Sequence, residues 1–284
     1  MKSTFISNLG IQNSMRNTIN QAHRELSRAQ KEVATGTYAD IGSAIGATVA
    51  NSLNYSRDID WMQGLIDTNS IVTQRLSSSQ SALESMSKNA QSALNSLILI
   101  NGTSNETQLE VARRSLKDAL SSFTGLANST ANGEYLFAGN NTDVKPMADY
   151  AAAGNPAKAA FDTAFSTFFG FSQSSASAAN ITGTQMTTFL STVVKPMFSG
   201  TAWNTNWSSA SSTNMTNRIN KTDVVETSVN ANSSAFQDFA YAAVIGMEML
   251  TGNMSAEARA VVTKESTAVL GNTERSSKCR FRYL

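Results

Sequence analysis

Apolar residues recur at steps of three and four along most of this chain. Between Asn8 and Ala34 the stripe is Ile11, Met15, Ile19, Ala22, Leu26, Ala29 and Val33, the spacing of a helix with a heptad-like seam. Thr35-Gly36-Thr37 closes it, because Gly36 can take the left-handed conformation that ends helices. Residues 38–46, YADIGSAIG, read as a loop or broken helix. The next pattern is stronger. Met62, Asn69, Leu76, Leu83, Ala90 and Leu97 follow one another at intervals of seven, beside a second register of Leu65, Val72, Ser79, Met86, Ala93 and Ile100. A seam sustained this far predicts a long helix packed on other helices. Its small and polar members fit close packing within the chain better than a self-sufficient zipper dimer.

Asn101-Gly102 breaks that helix, and Thr103 followed by Glu106 reads as a capping box that starts the next. Leu109, Leu116 and Phe123, with Ala112, Ala119 and Leu126, continue the heptads to about Ser129, and the short connection predicts antiparallel neighbours. Residues 133–207 differ, holding all three prolines and most of the aromatics. There Glu134–Ala138 is a strand candidate, Gly139-Asn140-Asn141 a turn, and Phe161, Phe165, Phe168, Phe169 and Phe171 a small core against that hairpin. From about Ser208 the helical spacing returns through Met215, Thr222, Val229, Phe236, Ala243 and Leu250, with Asn232 as a polar interruption able to set register. Ser255 then caps a last helix through Ala258, Val262 and Val269.

The predicted fold class is mainly α: an elongated helical rod of long, antiparallel, heptad-patterned helices with a small mixed insertion domain. Its core is expected from Met62, Leu65, Val72, Leu76, Leu83, Met86, Leu97, Leu109, Leu116, Phe123, Val229 and Phe236. The expected organisation is an N-terminal helix and loop at 1–44, a rod at 45–132 plus 208–270, an inserted domain at 133–207, and an atypical basic tail at 271–284 that lies outside the rod. The seam of the first helix (Ile11, Met15, Ile19, Leu26, Val33) has little to bury against in a single copy. That segment is expected to order only with partners.

Composition narrows the function. Charged residues are only 15% of the 284, and 22 basic against 21 acidic side chains give a net charge of +1, which argues against a dedicated nucleic-acid binder. No apolar run is long enough to insert in a membrane, and the N-terminus lacks the apolar stretch of a cleaved signal. One cysteine, Cys279, and one histidine, His23, exclude an internal disulfide and multi-cysteine or multi-histidine metal sites. Asp58 and Asp60 point to different sides of a helix, glycines 36, 42 and 46 lack the residues of a phosphate loop, and Arg113, Arg114 and Lys117 read as a solvated helix face. No catalytic set and no cofactor is expected. The phenylalanines of the insertion leave open an exposed glycan-binding surface.

The opening MKSTFISNLGIQNSMR, the stretch VATGTYADIGSAIGATVA with the helix after it, and STANGEYLFAGNNTDVKPM carry a resemblance. On these segments the chain resembles the flagellin superfamily, and within it the hook–filament junction proteins of alphaproteobacteria. The most specific phrase is NGxYxFAG, here Asn132, Gly133, Tyr135, Phe137, Ala138 and Gly139. The resemblance implies a secreted, non-enzymatic subunit of the extracellular flagellum, exported without a cleaved signal and assisted by an export chaperone. Its partners would be hook-side and filament-side axial proteins and copies of itself. It implies an inner-tube role for residues 1–35, a rod, and an outward-facing insertion. A minor flagellin of the filament shaft is the alternative within the family, and a surface glycan-binding module the alternative outside it. The tail NTERSSKCRFRYL departs from the family, whose members continue with further heptads.

Overall fold

The computed structural model describes residues 8–100 and 105–280. It is mainly α, in the order α1 (Asn8–Thr35), α2 (Ile41–Ile45), α3 (Val49–Leu99), α4 (Glu106–Ala127), a hairpin β1 (Thr130–Ala131) and β2 (Glu134–Tyr135), α5 (Pro156–Phe169), α6 (Gly183–Phe189), α7 (Lys195–Met197), α8 (Gly200–Asn206), a hairpin β3 (Thr216–Arg218) and β4 (Val224–Glu226), α9 (Ser234–Met249) and α10 (Ala256–Arg280). The chain divides into two compact units, residues 1–66 and 67–284.

In the first unit, α1 ends where the sequence indicates. Gly36 has φ +65° and its N–H donates to the Glu32 carbonyl at 2.8 Å, closing the last turn. None of α1's residues is buried. The stretch 38–46, read as a loop or broken helix, contains a short helix, α2, capped by Asp40, whose carboxylate accepts from the Ser43 N–H at 3.1 Å. That bond holds the Asp40 carboxyl below its usual pKa.

In the second unit, α4 runs antiparallel to α3. Asn89 Nδ2 donates to Ser122 Oγ at 2.8 Å, and the Ser96 and Ser115 hydroxyls meet at 2.9 Å, so one index rises by seven as the other falls by seven. Met86, Ala90, Ala93 and Leu97 of α3 are buried, as are Leu109, Leu116 and Phe123 of α4. Leu83 packs against the same core from a half-buried position. The earlier seam residues are not covered alike. Val72 and Leu76 are only half-buried, and in the part of α3 that belongs to the first unit Leu65 is half-buried and Met62, expected in the core, is 48% exposed. Length explains this correction: α4 has 22 residues against 51 in α3, about 33 Å against about 77 Å at 1.5 Å per residue.

Helix α4 begins differently from the expectation. Its cap is Asn105, whose Oδ1 accepts from the N–H groups of Thr107 and Gln108, while Thr103 and the Asn101-Gly102 break lie outside the described residues. The stretch after Ser208 is a larger correction. Helical spacing there gives way to the β3–β4 hairpin, and a continuous helix starts only at Ser234. Val229 is consequently a half-buried loop residue packed against the core. Side-chain hydrogen bonds from Asn and Thr explain the change. Asn220 Oδ1 accepts from the N–H groups of both Thr222 and Asp223 at 2.8 Å, fixing a turn that competes with helix. Asn232 sits in the loop before α9, not in a helical seam, and its Oδ1 accepts from the Trp203 indole N–H at 3.0 Å.

Residues 156–206 are also more helical than expected. A π turn at Leu190–Val194 leads into Lys195-Pro196, where the extra residue accommodates a proline that cannot donate an N–H. Phe161 and Phe165 are buried, and both pack on Phe189 of α6 rather than on the β1–β2 hairpin. These two are core residues, while Phe168 of the same cluster is 39% exposed. Their cluster is continuous with the core of α3, α4, α9 and α10. Ser255 caps α10 as the sequence indicates, accepting from the Ala258 N–H at 3.0 Å while its hydroxyl donates to the Ile181 carbonyl. Helix α10 does not stop at Gly271 but continues to Arg280.

Candidate assembly surfaces

The residues of NGEYLFAG form one built feature. Thr130 pairs with Tyr135 and Ala131 with Glu134, leaving Asn132 (φ +53°) and Gly133 (φ +85°) as the two turn residues. Two successive positive φ angles in a two-residue hairpin are the type I′ geometry for which Asn-Gly is the favoured pair. The chain then turns inward, burying Leu136, Phe137 and Ala138. Phe137 packs beside Phe236 at 5.6 Å, which meets Phe123 edge-on at 5.1 Å, and Phe123 stacks on Phe239 at 4.1 Å. Gly139 has φ +63°, and a Cβ there would run into the carbonyl oxygens of Ser211 and Thr213. Around it, Ser211 N–H donates to the Ala138 carbonyl, Asn140 N–H to the Thr213 carbonyl and Ala231 N–H to the Phe137 carbonyl. The phrase therefore ties the end of α4 to two segments, one 73 residues later (Ala138 to Ser211) and one 94 residues later (Phe137 to Ala231).

A residue the sequence reading did not single out completes this lock. Arg75, on α3, donates from Nη1 to Glu134 Oε2 and from Nη2 to the Tyr135 carbonyl, both at 2.7 Å, with its side chain only 11% exposed. The only sequence signal is a cation beside Leu76 on a half-apolar seam. Nothing local links it to a hairpin 59 residues away.

A second polar assembly joins α5 to α9. Lys158 Nζ donates to Asp162 at 2.5 Å and to Glu248 at 3.3 Å, and the Tyr150 hydroxyl donates to Glu248 at 3.2 Å. Burial and the Glu248 carboxylate push the Tyr150 hydroxyl well above its ordinary pKa. Burial alone would lower the Lys158 pKa, but its carboxylate partners outweigh it and the net shift is upward.

Among the described residues, α1 and the α3–α4 pair each present an open surface. On α1, Ile11, Met15, Ile19, Leu26 and Val33 are exposed. Between α3 and α4 runs a groove of about 940 Å³ with small residues such as Ser92, Ser115, Ala119 and Ser122 at its floor and Glu106, Glu110, Arg114 and Asp118 along α4. Arg113, expected in a solvated basic patch, instead donates to the Met247 carbonyl at 2.9 Å and pairs with Glu110. His23 is exposed on α1. Among the described residues, no cluster of three or more His, Cys, Asp or Glu could hold a metal, and no helix is long and apolar enough to cross a membrane.

Residues 6–142 match the family model of the bacterial flagellin N-terminal helical region. A search of curated proteins gives no match. A solved structure provisionally assigned as a flagellar hook-associated protein of Vibrio parahaemolyticus is similar in fold, with TM-score 0.50 and 13% identity over 84% of this chain and 88% of that one. The matched region runs from the exposed seam of α1 through α3 and α4 to the NGEYLFAG lock, so that this part of the chain is similar to the N-terminal helical region of bacterial flagellins.

Proposed function

We propose that this chain is the subunit that joins the flagellar hook to the filament. The observation that carries the reading is the NGEYLFAG lock, the phrase by which the chain resembles junction proteins, here held by Arg75 and by two later segments. The fold likeness to a protein provisionally assigned as hook-associated accords with a structural role in the flagellum. The mechanism is mechanical. One face of the subunit meets hook-type neighbours, another meets filament neighbours, and copies of the chain close the ring between them. In this reading residues 1–44 enter the inner tube, residues 45–132 and 208–270 make the rod, and residues 133–207 face outward. Residues 271–284 are a basic tail. The protein leaves the cell through the flagellar export channel without a cleaved signal, kept unassembled by an export chaperone.

Deleting the gene in its source cell, with no second copy present, is expected to leave hooks without filaments. Normal filaments in that strain would overturn the reading. Immunogold labelling is expected as a band at the filament base, and labelling along the shaft would make the chain a minor flagellin instead.

A further inference from the structure

Two rows of charge, one on α1 and one along the α3–α4 groove, have the same spacing and opposite net sign. On α1 the residues at four-residue steps are Arg16, Asn20, Arg24 and Arg28, and on α4 they are Glu106, Glu110, Arg114 and Asp118. All eight are exposed, and the four on α4 line the groove. Residues four apart form the ridges along which helices most often pack, crossing at about 50°.

We propose that α1 of a second copy of this chain docks antiparallel along the α3–α4 groove, its arginine row against the acidic row of α4. Direction follows from the sequence of charges. Laid antiparallel, Arg28 faces Glu106, Arg24 faces Glu110 and Arg16 faces Asp118, while the groove's one cation, Arg114, faces the neutral Asn20. Laid parallel, Arg24 would face Arg114 and Glu110 would lose its partner to Asn20. Antiparallel docking makes three attractive pairs and no repulsive one. The small floor residues let a helix approach, and Val111, 63% exposed on the groove, offers it an apolar contact. Each row spans twelve residues, about 18 Å of helix.

The arginine row is centred on the side of α1 opposite the Ile11–Val33 seam, at 100° per residue. Docking in the groove therefore leaves that seam available to another partner. Arg28 also holds Glu32 and Ser43 in its own copy, and Glu110, opposite Arg24, pairs with Arg113 in its own, so Arg16 against Asp118 carries most of the discrimination and Arg24 competes with Arg113 for Glu110. Exposed charge pairs contribute little affinity individually and act mainly through orientation and partner choice. The contact is expected to be weak and sensitive to salt. This inference rests on the two charge rows and not on the position of the protein in the flagellum, so its failure would leave the junction reading untouched.

The test is self-association of the full-length chain, measured by sedimentation velocity at low and high salt with circular dichroism to verify helix content. Association at low salt is expected to fall about tenfold in R16E/R24E and likewise in E110R/D118R. A mixture of the two variants is expected to associate as the unaltered chain does. The neutral pair R16Q/R24Q provides a gentler loss should the reversed charges disturb folding. Direction is read by a short bifunctional thiol cross-linker in a C279S background, where N20C/R114C should give dimers and R24C/R114C should not. Absence of salt-sensitive association, no recovery in the mixture, or dimers from R24C/R114C alone would overturn the proposal.

Discussion

Helices α1 and α9 share an apolar spacing and have opposite fates, α1 being apolar along one stripe and α9 nearly all round. Both carry apolar residues at steps of three and four, yet α1 buries none of its 28 residues, while ten of the 16 in α9 are buried. Intrinsic helix preference does not separate them, because α1 contains no glycine after Gly10 and no proline, whereas α9 contains Gly246 in its last turn. The difference lies in what each helix meets. Helix α9 packs against both α4 and α10, and Gly246 lets Leu116 approach to where a Cβ would come within 2.5 Å of its Cδ1. An apolar stripe thus says which face of a helix wants a partner, but not whether the same chain supplies one.

The largest effect expected from breaking this contrast is Phe239→Ala, which removes the ring stacked on Phe123 in a fully packed site. A loss of about 4 kcal/mol in chemical denaturation is expected. The equivalent truncation on α1, Leu26→Ala, is the counterpart with almost no effect. Next comes Gly139→Ala, where positive φ and two opposing carbonyl oxygens combine. It should cost about 3 kcal/mol by the same measurement, whereas Gly36→Ala, with open space around it, should cost about 1 kcal/mol at most. Arg75→Ala removes two hydrogen bonds from the NGEYLFAG hairpin and is expected to cost about 2 kcal/mol.

The pH response sharpens the comparison further. Tyr150 and Tyr241 both have raised hydroxyl pKa values in the second unit, each first from burial and then from a neighbouring carboxylate, Glu248 or Glu265. A group held protonated more firmly in the folded state stabilises it fully below the unfolded pKa and loses that contribution as pH rises. For tyrosine the loss begins near pH 10. The denaturation midpoint of the second unit is therefore expected to fall above that pH, and Y150F/Y241F should flatten the fall. No slope change in that double variant would show that these hydroxyls are not what the unit depends on. The smallest effect is Leu26→Ser on α1. It should leave the unfolding midpoint of the free chain within about 0.5 kcal/mol, with rapid amide exchange along α1 and slow exchange along α9. Strong protection of α1 in a verified monomer would overturn the contrast.

Particular residues show how much of this was readable beforehand. Local chemistry alone determined the end of α1 at Gly36, the Ser255 cap of α10, the heptad cores at Met86, Leu97, Leu109 and Leu116, and the strand start at Glu134. Each depends on neighbours within about one or two helical turns, where sequence order and spatial order coincide. It misled between Ser208 and Ser233, where apolar spacing looked helical but Asn220 and Asn232 spend their side chains on turns and on the Trp203 indole. It placed Gly139 in a turn without showing what a side chain there would meet, and it could not mark Arg75 or the limit of burial along α3. Those were decided by tertiary structure. Arg75 matters because a hairpin 59 residues onward lies against it, Gly139 because the Ser211 and Thr213 carbonyls do, and Met62 stays open because α4 is shorter than the helix it pairs with. A one-dimensional pattern fixes which positions share a face, since the helical repeat is set by backbone geometry. Which face is covered depends on chain segments far away in sequence, and their arrival is settled only when the whole core packs.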